Sequence, residues 1–394
     1  MTRKIAMALE NFSRFSGGAE SYAVELAETL ASRGWEVHLI GYTWDGNPSG
    51  AIFHKITKLP KLIPPFLRIL HFALRHSSIV RNLDLDIVLG FGNTIDMNVY
   101  QSHGGVHFVT SLKKTRVESN PIVRLAKVLL TFVSPKSLTR SWIESAPFRK
   151  KKRPVIIAIS DMVRNDICRC HHLRKEDVHL VYNGVNLERF KLEPAPDSRR
   201  NVRLPIGFSD QVLFLFMAYD FKKKGVRYLI EAAGKLLNQV GPGKFSVVIV
   251  GAEPSPSLLR LIRELDLEST VVFQGSTKEP EKYYNACDVF VLPTFYDACS
   301  LVIFEAMACG LPVITTVDNG ASGVITQGVD GQVLNDPRDV PAMAEAMRRF
   351  LDVNFLKKAS LAARNTASHY SVQSNHDQII AILDSVLRRD LRSR

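Results

Sequence analysis

Short apolar runs of strand length alternate with segments of helical period along nearly all of the 394 residues, and the alternation is run through twice. Such an order favours parallel sheets covered by helices, because parallel neighbours need a long crossover to return the chain to the same end of the sheet. Lys4 to Leu9 reads as a buried first strand, Ala19 to Ser32 as a helix and Glu36 to Tyr42 as a second strand. Asp86 to Phe91, Met97 to Gln101, Val155 to Ile159 and Val178 to Tyr182 complete the first series. From Lys191 to Pro205 the chain has no apolar period and carries Pro194, Pro196 and Asp197, which reads as a linker. A second series runs through Val212 to Ala218, Phe245 to Gly251, Val271 to Gly275, Asp288 to Pro293 and Pro312 to Thr316. Helices lie between, among them Val226 to Leu237 and Ser257 to Leu265. The length exceeds what one core serves. The expectation is therefore α/β, with two Rossmann-like doubly wound domains, 1–195 and 205–372, facing each other across a cleft at the carboxyl ends of their strands.

Composition narrows the class. With 46% hydrophobic and 23% charged residues the chain is an ordinary globular one, and no window holds the roughly 18 uninterrupted apolar residues of a spanning helix. The apolar run after Met1 is short and ends at Glu10, so it is read as a strand and not as a signal peptide. Five cysteines, an odd number, fit reduced thiols in a cytoplasmic protein. Cys168 and Cys170 beside His171 and His172 match no common zinc spacing, and no second ligand pair follows. Lys plus Arg exceed Asp plus Glu by 51 − 39 = 12, which draws the protein to anionic surfaces. Charge alone fits nucleic acid or anionic lipid, but no RNA-binding signature or aromatic-interleaved basic stretch appears, so no nucleic acid partner is expected.

The most informative run begins Asp297-Ala298-Cys299-Ser300-Leu301-Val302-Ile303-Phe304-Glu305 and continues to Gly310, Pro312 and Ile314. Two acids eight residues apart bracket a loop that enters a helix, one acid on the loop and the other a turn or more inside. Free amides at the helix start suit a phosphate, and the carboxylates can accept from sugar hydroxyls. An amphipathic helix with a buried stripe of Leu301, Val302, Phe304 and Met307 is the plainer reading of the same residues.

The run resembles that of the family 4 retaining glycosyltransferases of the GT-B fold, in which an E-x7-E segment ends in Glu-Ala-Met-Ala-x-Gly-x-Pro-Val-Ile. Asp297 stands where the first Glu is usual and Ser300 where a Gly is common. Gly17-Gly18-Ala19-Glu20 is similar to the Gly-Gly-x-Glu element of the family's first domain, which implies a place beside the diphosphate and the sugar. Lys224-Gly225 matches the family's Lys-Gly, while Ala218 occupies the position of its Arg. Lys223 or Lys222 would then replace that charge, as adjacent basic residues do in the bacterial lipopolysaccharide-core glucosyltransferases, which the chain resembles most. A solvated charge run is the alternative for these lysines. His103, after a strand, falls where the family places a polar residue beside the transferred sugar. The backbone near Gly275 would face the base. The Asn183 to Phe190 run would form a turn at the exit of the first domain, Ser160 would cap a helix, and 373–394 would be a helix crossing back to the first domain.

The resemblance implies a hexosyltransferase that works with retention, using a nucleotide-diphosphate sugar, UDP in particular, and a cell-surface glycan or glycolipid acceptor such as lipopolysaccharide core. In that assignment His103, Lys223, Lys224 and Asp297 carry the chemistry, and Gly17, Gly18, Gly275, Ser300, Leu301, Val302 and Glu305 bind the donor. No cofactor and no metal are expected. Asp84-Leu85-Asp86, the string that binds metal in another glycosyltransferase fold, reads here as a turn feeding a strand. Residues 58–75 mix large apolar side chains with cations, and a basic cluster spans 149–153 after a Leu- and Val-rich stretch at 122–133. Two readings stay open for these: an anionic membrane surface at the inner face of the cytoplasmic membrane, or helices packed on the sheet with a wet basic edge. A non-catalytic binding protein on the same scaffold, or a nucleotide-sugar epimerase or hydrolase, are the alternative functions.

Overall fold

The structure, a computed structural model, describes residues 2–14, 17–45, 50–192 and 211–392. It divides into two compact units, Met1–Tyr182 with Asn375–Arg394, and Asn183–Ser374. The expected linker at 191–205 lies, from 193 onward, outside the described residues.

The first unit is built on a seven-stranded parallel sheet. Its strands are β1 (Lys4–Ala8), β3 (Glu36–Gly41), β5 (Ala51–Lys55), β6 (Ile87–Gly90), β7 (Val99–Ser102), β8 (Val155–Ala158) and β9 (Val178–Leu180), in the order β5-β3-β1-β6-β7-β8-β9. Two short strands, β2 (Asn11–Ser13) and β4 (Thr43–Asp45), pair separately. The helices are α1 (Gly18–Ser32), α2 (Pro65–Arg81), α3 (His107–Thr115), α4 (Pro121–Val133), α5 (Pro135–Ser145) and α6 (Asp161–His171). Ile5, Ala6, Met7 and Ala8 are all fully buried, as the unbroken apolar run of a central parallel strand requires. Helix α1 buries Tyr22, Ala23, Leu26, Ala27 and Leu30, a helical stripe that joins Met7, Leu39 and Leu89 in the core. Ser160 accepts from the Val163 amide at 3.2 Å and caps α6.

The second unit carries a six-stranded parallel sheet of β10 (Val212–Ala218), β11 (Phe245–Gly251), β12 (Val271–Phe273), β13 (Val289–Leu292), β14 (Val313–Thr316) and β15 (Gly331–Leu334), in the order β12-β11-β10-β13-β14-β15. Its helices are α7 (Phe221–Lys224), α8 (Val226–Val240), α9 (Pro256–Glu264), α10 (Pro280–Ala286), α11 (Leu301–Ala308), α12 (Val340–Arg349) and α13 (Val353–Ser368). The last helix, α14 (Val372–Arg392), leaves this unit and lays Ile379, Ile380, Leu383 and Val386 into the first unit's core.

One boundary differs from expectation. Residues 183–190 belong to the second unit, and the reason is local. The Val185 amide donates to Tyr370 O at 2.9 Å, and the Val372 amide to Val185 O at 3.0 Å. Gly184 passes so close to this segment that a Cβ would lie 2.6 Å from Val372 Cα, which accounts for the glycine. Phe190 then packs edge-on against Tyr284.

Candidate active site

In an open α/β sheet the loops diverge where neighbouring strands send their connections to opposite sides, and ligands bind in the crevice this leaves. In the second unit that point lies between β10 and β13. The chain leaves β10 through Asp220, whose carboxylate caps the short α7 by accepting from the Lys223 amide at 3.1 Å. Gly225 then turns with φ 76°, so tight against the end of β13 that a Cβ would fall 2.1 Å from Pro293 O. The Phe295 amide donates to Lys223 O at 3.0 Å, strapping the two strand exits together.

This strap sets Lys224 against Asp297. The Lys224 ammonium and the Ser300 hydroxyl both donate to Asp297 Oδ2, and the Cys299 amide reaches Oδ1 at 3.3 Å. Burial by itself would raise the Asp297 carboxyl, but the Lys224 charge and these hydrogen bonds outweigh it and hold the group below the usual carboxylate range. The backbone is fixed as well, the Asp297 amide donating to Asp318 O at 3.0 Å and the Gly320 amide to Asp297 O at 2.8 Å.

Ser300 sits at the N-cap of α11, yet its hydroxyl is turned to Asp297 and caps none of the helix amides. The amides of Leu301 and Val302, by their position in the first turn, have no intrahelical acceptor. Glu305, one turn further, accepts from the Tyr284 hydroxyl at 2.9 Å. Burial, then the Glu305 charge and hydrogen bond, push that phenol well above its ordinary value, so Tyr284 acts as a fixed donor to the carboxylate.

The two lysines assigned to the chemistry part company. Lys223 pairs with Asp220, its own helix cap, and its side chain is 49% exposed, whereas Lys224 is 22% exposed and pairs with Asp297. Gly275 follows β12 with φ 66°, and its carbonyl accepts from the Gly251 amide at 2.8 Å. The structure thus gathers Lys224, Asp297, Ser300 and the start of α11, with Glu305 inside the helix.

Sequence reasoning missed two supports of this cluster. Asn319 is fully buried; its Oδ1 accepts the amides of Ser300 at 3.3 Å and Ala321 at 3.1 Å, and its Nδ2 donates to Thr315 Oγ1 at 3.1 Å. Tyr284 lies in α10, where it reads as one more apolar-face aromatic. An Asn and a Tyr carry no motif of their own, so only the fold reveals their partners.

In the first unit the switch point lies between β1 and β6. Beyond β1 the chain reaches Gly17, with φ 78° at the N-cap of α1, and Gly18 opens the helix. His103, one residue past β7, packs its ring on Tyr22 at 4.6 Å and on Phe91 at 5.2 Å between centroids. Burial lowers its pKa to about 3, so the imidazole is neutral at physiological pH, and its Nε2 is buried with no hydrogen-bond partner among the described residues. Beneath it the Tyr22 hydroxyl accepts from Gln101 Nε2 and donates to Asn375 Oδ1, each at 3.0 Å.

The remaining motifs resolve structurally. Asp86 Oδ2 accepts from the Lys4 amide at 2.8 Å, joining the start of β6 to β1. His171 stacks on Phe148 at 3.9 Å, and His172 ends α6 in the left-handed region with φ 53°. No group of three His, Cys, Asp or Glu side chains among the described residues is placed to hold a metal ion, and all five cysteines are free thiols. Helix α2 turns Ile69, Phe72, Ala73 and His76 into the interior, while Leu62, Leu67 and Leu74 of the 58–75 segment stay exposed. The basic cluster at 149–153 is exposed, with Lys150 paired to Asp96. Helix α4, by contrast, buries none of its side chains, and Ile122, Leu125, Leu129 and Phe132 stand open. Among the described residues no helix is long and apolar enough to cross a membrane.

These features define a class. The chain belongs to the GT-B glycosyltransferases, matching Glycosyltransferase Family 4 over residues 16–189 and Glycosyl transferases group 1 over residues 210–353. Among curated relatives it is 24% identical to the lipopolysaccharide glucosyltransferase WaaG of Escherichia coli K12 over 368 residues, covering 93% of this chain and 94% of WaaG. It is also 30% identical to the alpha-D-kanosaminyltransferase of Streptomyces kanamyceticus, across 61% of this chain and 62% of that protein. A crystal structure of WaaG superimposes with a TM-score of 0.78 at 22% identity, over 96% of this chain and 99% of WaaG. HepE of Anabaena, solved in complex with UDP-glucose, gives a TM-score of 0.67 at 19% identity over 97% of this chain and 99% of its own.

Proposed function

We propose that the enzyme moves a hexose, with retention of configuration, from a UDP-sugar to a hydroxyl of a lipid-anchored glycan of the lipopolysaccharide-core kind. The observation that carries this reading is the junction of Lys224, Asp297 and Ser300 at the first turn of α11, with Glu305 one turn inside. When the bond between the anomeric carbon and the diphosphate oxygen breaks, negative charge grows on that oxygen. Lys224 and the amides of Leu301 and Val302 stabilise it, as preorganised donors in a partly buried site do most effectively. The acceptor oxygen bonds the anomeric carbon from the face the diphosphate leaves, and its proton passes to the departing phosphate. Asp297 takes a sugar hydroxyl in exchange for its Ser300 contact, Glu305 holds the ribose, and the backbone near Gly275 faces the base. In the first unit taken by itself, His103 offers a neutral ring nitrogen to a hydroxyl, and the amides at Gly17 and Gly18 suit phosphate oxygens. The names of WaaG and of HepE with its bound UDP-glucose support the donor and acceptor classes.

The charge supplied by Lys224 and a helix end takes the part a divalent ion plays in other transferases. A saturating UDP-hexose is expected to raise Tm by about 3 °C, the shift that roughly 2–3 kcal/mol of ligand stabilisation gives in a chain of this size, and excess chelator is expected to leave both shift and turnover unchanged. Failure of UDP-glucose, UDP-galactose and their N-acetyl forms alike to shift Tm or to be consumed would overturn the reading.

The acceptor side is assigned to an anionic membrane surface through the open apolar face of α4, flanked by Arg124 and Lys127. Sedimentation with vesicles containing phosphatidylglycerol checks it. Leu125→Glu with Leu129→Glu is expected to leave most of the protein unbound, and unchanged binding refutes the assignment.

A further inference from the structure

Helices α3, α4 and α5 line an open pocket of about 360 Å³ whose chemistry the donor site does not account for. Four cationic side chains line it: Lys114 from α3, Lys127 from α4, and Lys136 and Arg140 from α5. Like charges so placed repel unless carboxylates intervene, and the carboxylate that Lys127 meets is Glu118. Lys136 and Arg140 have no carboxylate partner among the described residues, and Arg140 Nε is buried there with no hydrogen bond. A guanidinium N–H with no protein acceptor suits an oxygen acceptor supplied by a ligand.

The backbone adds to the same side of the balance. Helix α5 begins at Pro135, and Ser134, its N-cap, gives no side-chain hydrogen bond to the first turn. The amides of Lys136 and Ser137 therefore stand at the positive end of an eleven-residue helix, on the wall of the cavity. Hydroxyls of Ser111, Thr131 and Ser137 complete the lining, Ser137 Oγ lying 3.4 Å from His107 Nε2. That imidazole is held neutral, its pKa lowered to about 4 by burial and then by Arg140, Lys114 and Lys136 together, so these cations act on one point. The Lys136 ammonium, a guanidinium fork, helix amides and hydroxyls around a small volume match the several acceptor oxygens and double charge of a phosphate.

We propose that this cavity is a phosphate-binding site, distinct from the donor site, that receives a phosphate group borne by the lipid-anchored acceptor or by a lipid headgroup. The proposal rests on the acceptor reading above only for where the phosphate comes from. Helix α4 supplies both the cavity wall, through Lys127 and Thr131, and the open apolar face, so a phosphate at the interface and the acyl region beneath it meet the same element.

The test uses the full chain and two probes, inorganic phosphate in calorimetry and phosphatidylcholine vesicles doped with phosphatidate in sedimentation. Lys136→Gln with Arg140→Gln is expected to weaken both by at least about tenfold, while Lys151→Gln with Lys152→Gln, the same loss of charge in the exposed basic cluster, changes either by less than about twofold. Arg140→Lys, which keeps the charge without the fork, is expected to fall between them, and circular dichroism with a melting curve confirms that each variant folds. Loss of phosphate binding with vesicle binding intact assigns the cavity to a soluble phosphate. Equal losses in the two double variants, or none in the first, overturn the site. The Tm shift with a UDP-hexose, measured on the same samples, reports on the donor reading separately: its absence from the wild type leaves the phosphate result standing.

Discussion

Lys224→Ala is expected to lower the turnover of sugar transfer by about 10²–10³-fold, the range seen when one preorganised donor to a developing oxyanion is removed. Lys223→Ala, next to it in sequence, is expected to stay within about threefold of wild type, because an exposed pair with its own helix cap adds little beyond local order. The contrast separates a positioned charge from a generally basic loop: comparable losses in the two variants would mean that bulk positive potential, and not the Lys224–Asp297 geometry, serves the diphosphate. The pair also leaves a signature in stability. The folded Asp297 carboxyl lies below its unfolded value near 3.9, so its contribution is present above that pH and is lost as pH falls through the lower folded value. The difference in Tm between wild type and Lys224→Ala is therefore expected to stay level from about pH 7 to pH 5 and to shrink below about pH 4. A difference that disappears near pH 6 would contradict the depressed carboxyl.

Gly225→Ala is expected to cost about 2–4 kcal/mol and to impair the site along with the fold. The residue sits at φ 76°, where an L side chain is strained, and its Cβ would land 2.1 Å from Pro293 O, a backbone atom that cannot rotate aside. Relief requires the β10 exit to move off β13, and that movement carries Lys224 away from Asp297. Urea unfolding followed by circular dichroism, with donor binding measured alongside, gives both effects. A loss under about 1 kcal/mol with normal donor binding would show that the turn is free to shift.

What could be read before the structure follows from how locally each feature is encoded. The central strands are continuous Val, Ile, Leu and Phe runs that no other element matches, so Val212–Ala218 and Phe245–Gly251 are the same residues in expectation and in the fold. Edge strands carry less signal. In Ala51–Lys55 none of the residues is fully buried, and Gly331–Leu334 opens with Gly-Gln, so neither shows the pattern of a strand. Around the site, Asp297 and Glu305 were legible because a motif spaces them, and Lys224 because a glycine follows it. The separation of Lys223 from Lys224 was not, since it depends on which lysine the Gly225 turn leaves facing β13. The partners of the Ile69, Phe72 and Ala73 stripe were equally hidden, because Phe72 packs on Ala6, Ala8 and Ile40 of the sheet while Ile69 and Ala73 pack on Ile143 of α5. In 122–133 the apolar residues cover more than half of the helix surface, with Arg124, Lys127 and Thr131 on the other side, and none is buried in the core.

The first unit takes Ile379, Ile380, Leu383 and Val386 from a helix that lies almost two hundred residues beyond Tyr182 along the chain. During synthesis, a ribosome that has delivered every strand of the first sheet has still not delivered these side chains, and Met7, Leu26 and Leu39 wait with one wall of their core open. The second unit, continuous in sequence, can close before its predecessor does. Chain order and folding order are thus expected to run in opposite directions, with the first unit's core open to proteases and chaperones until α14 has emerged.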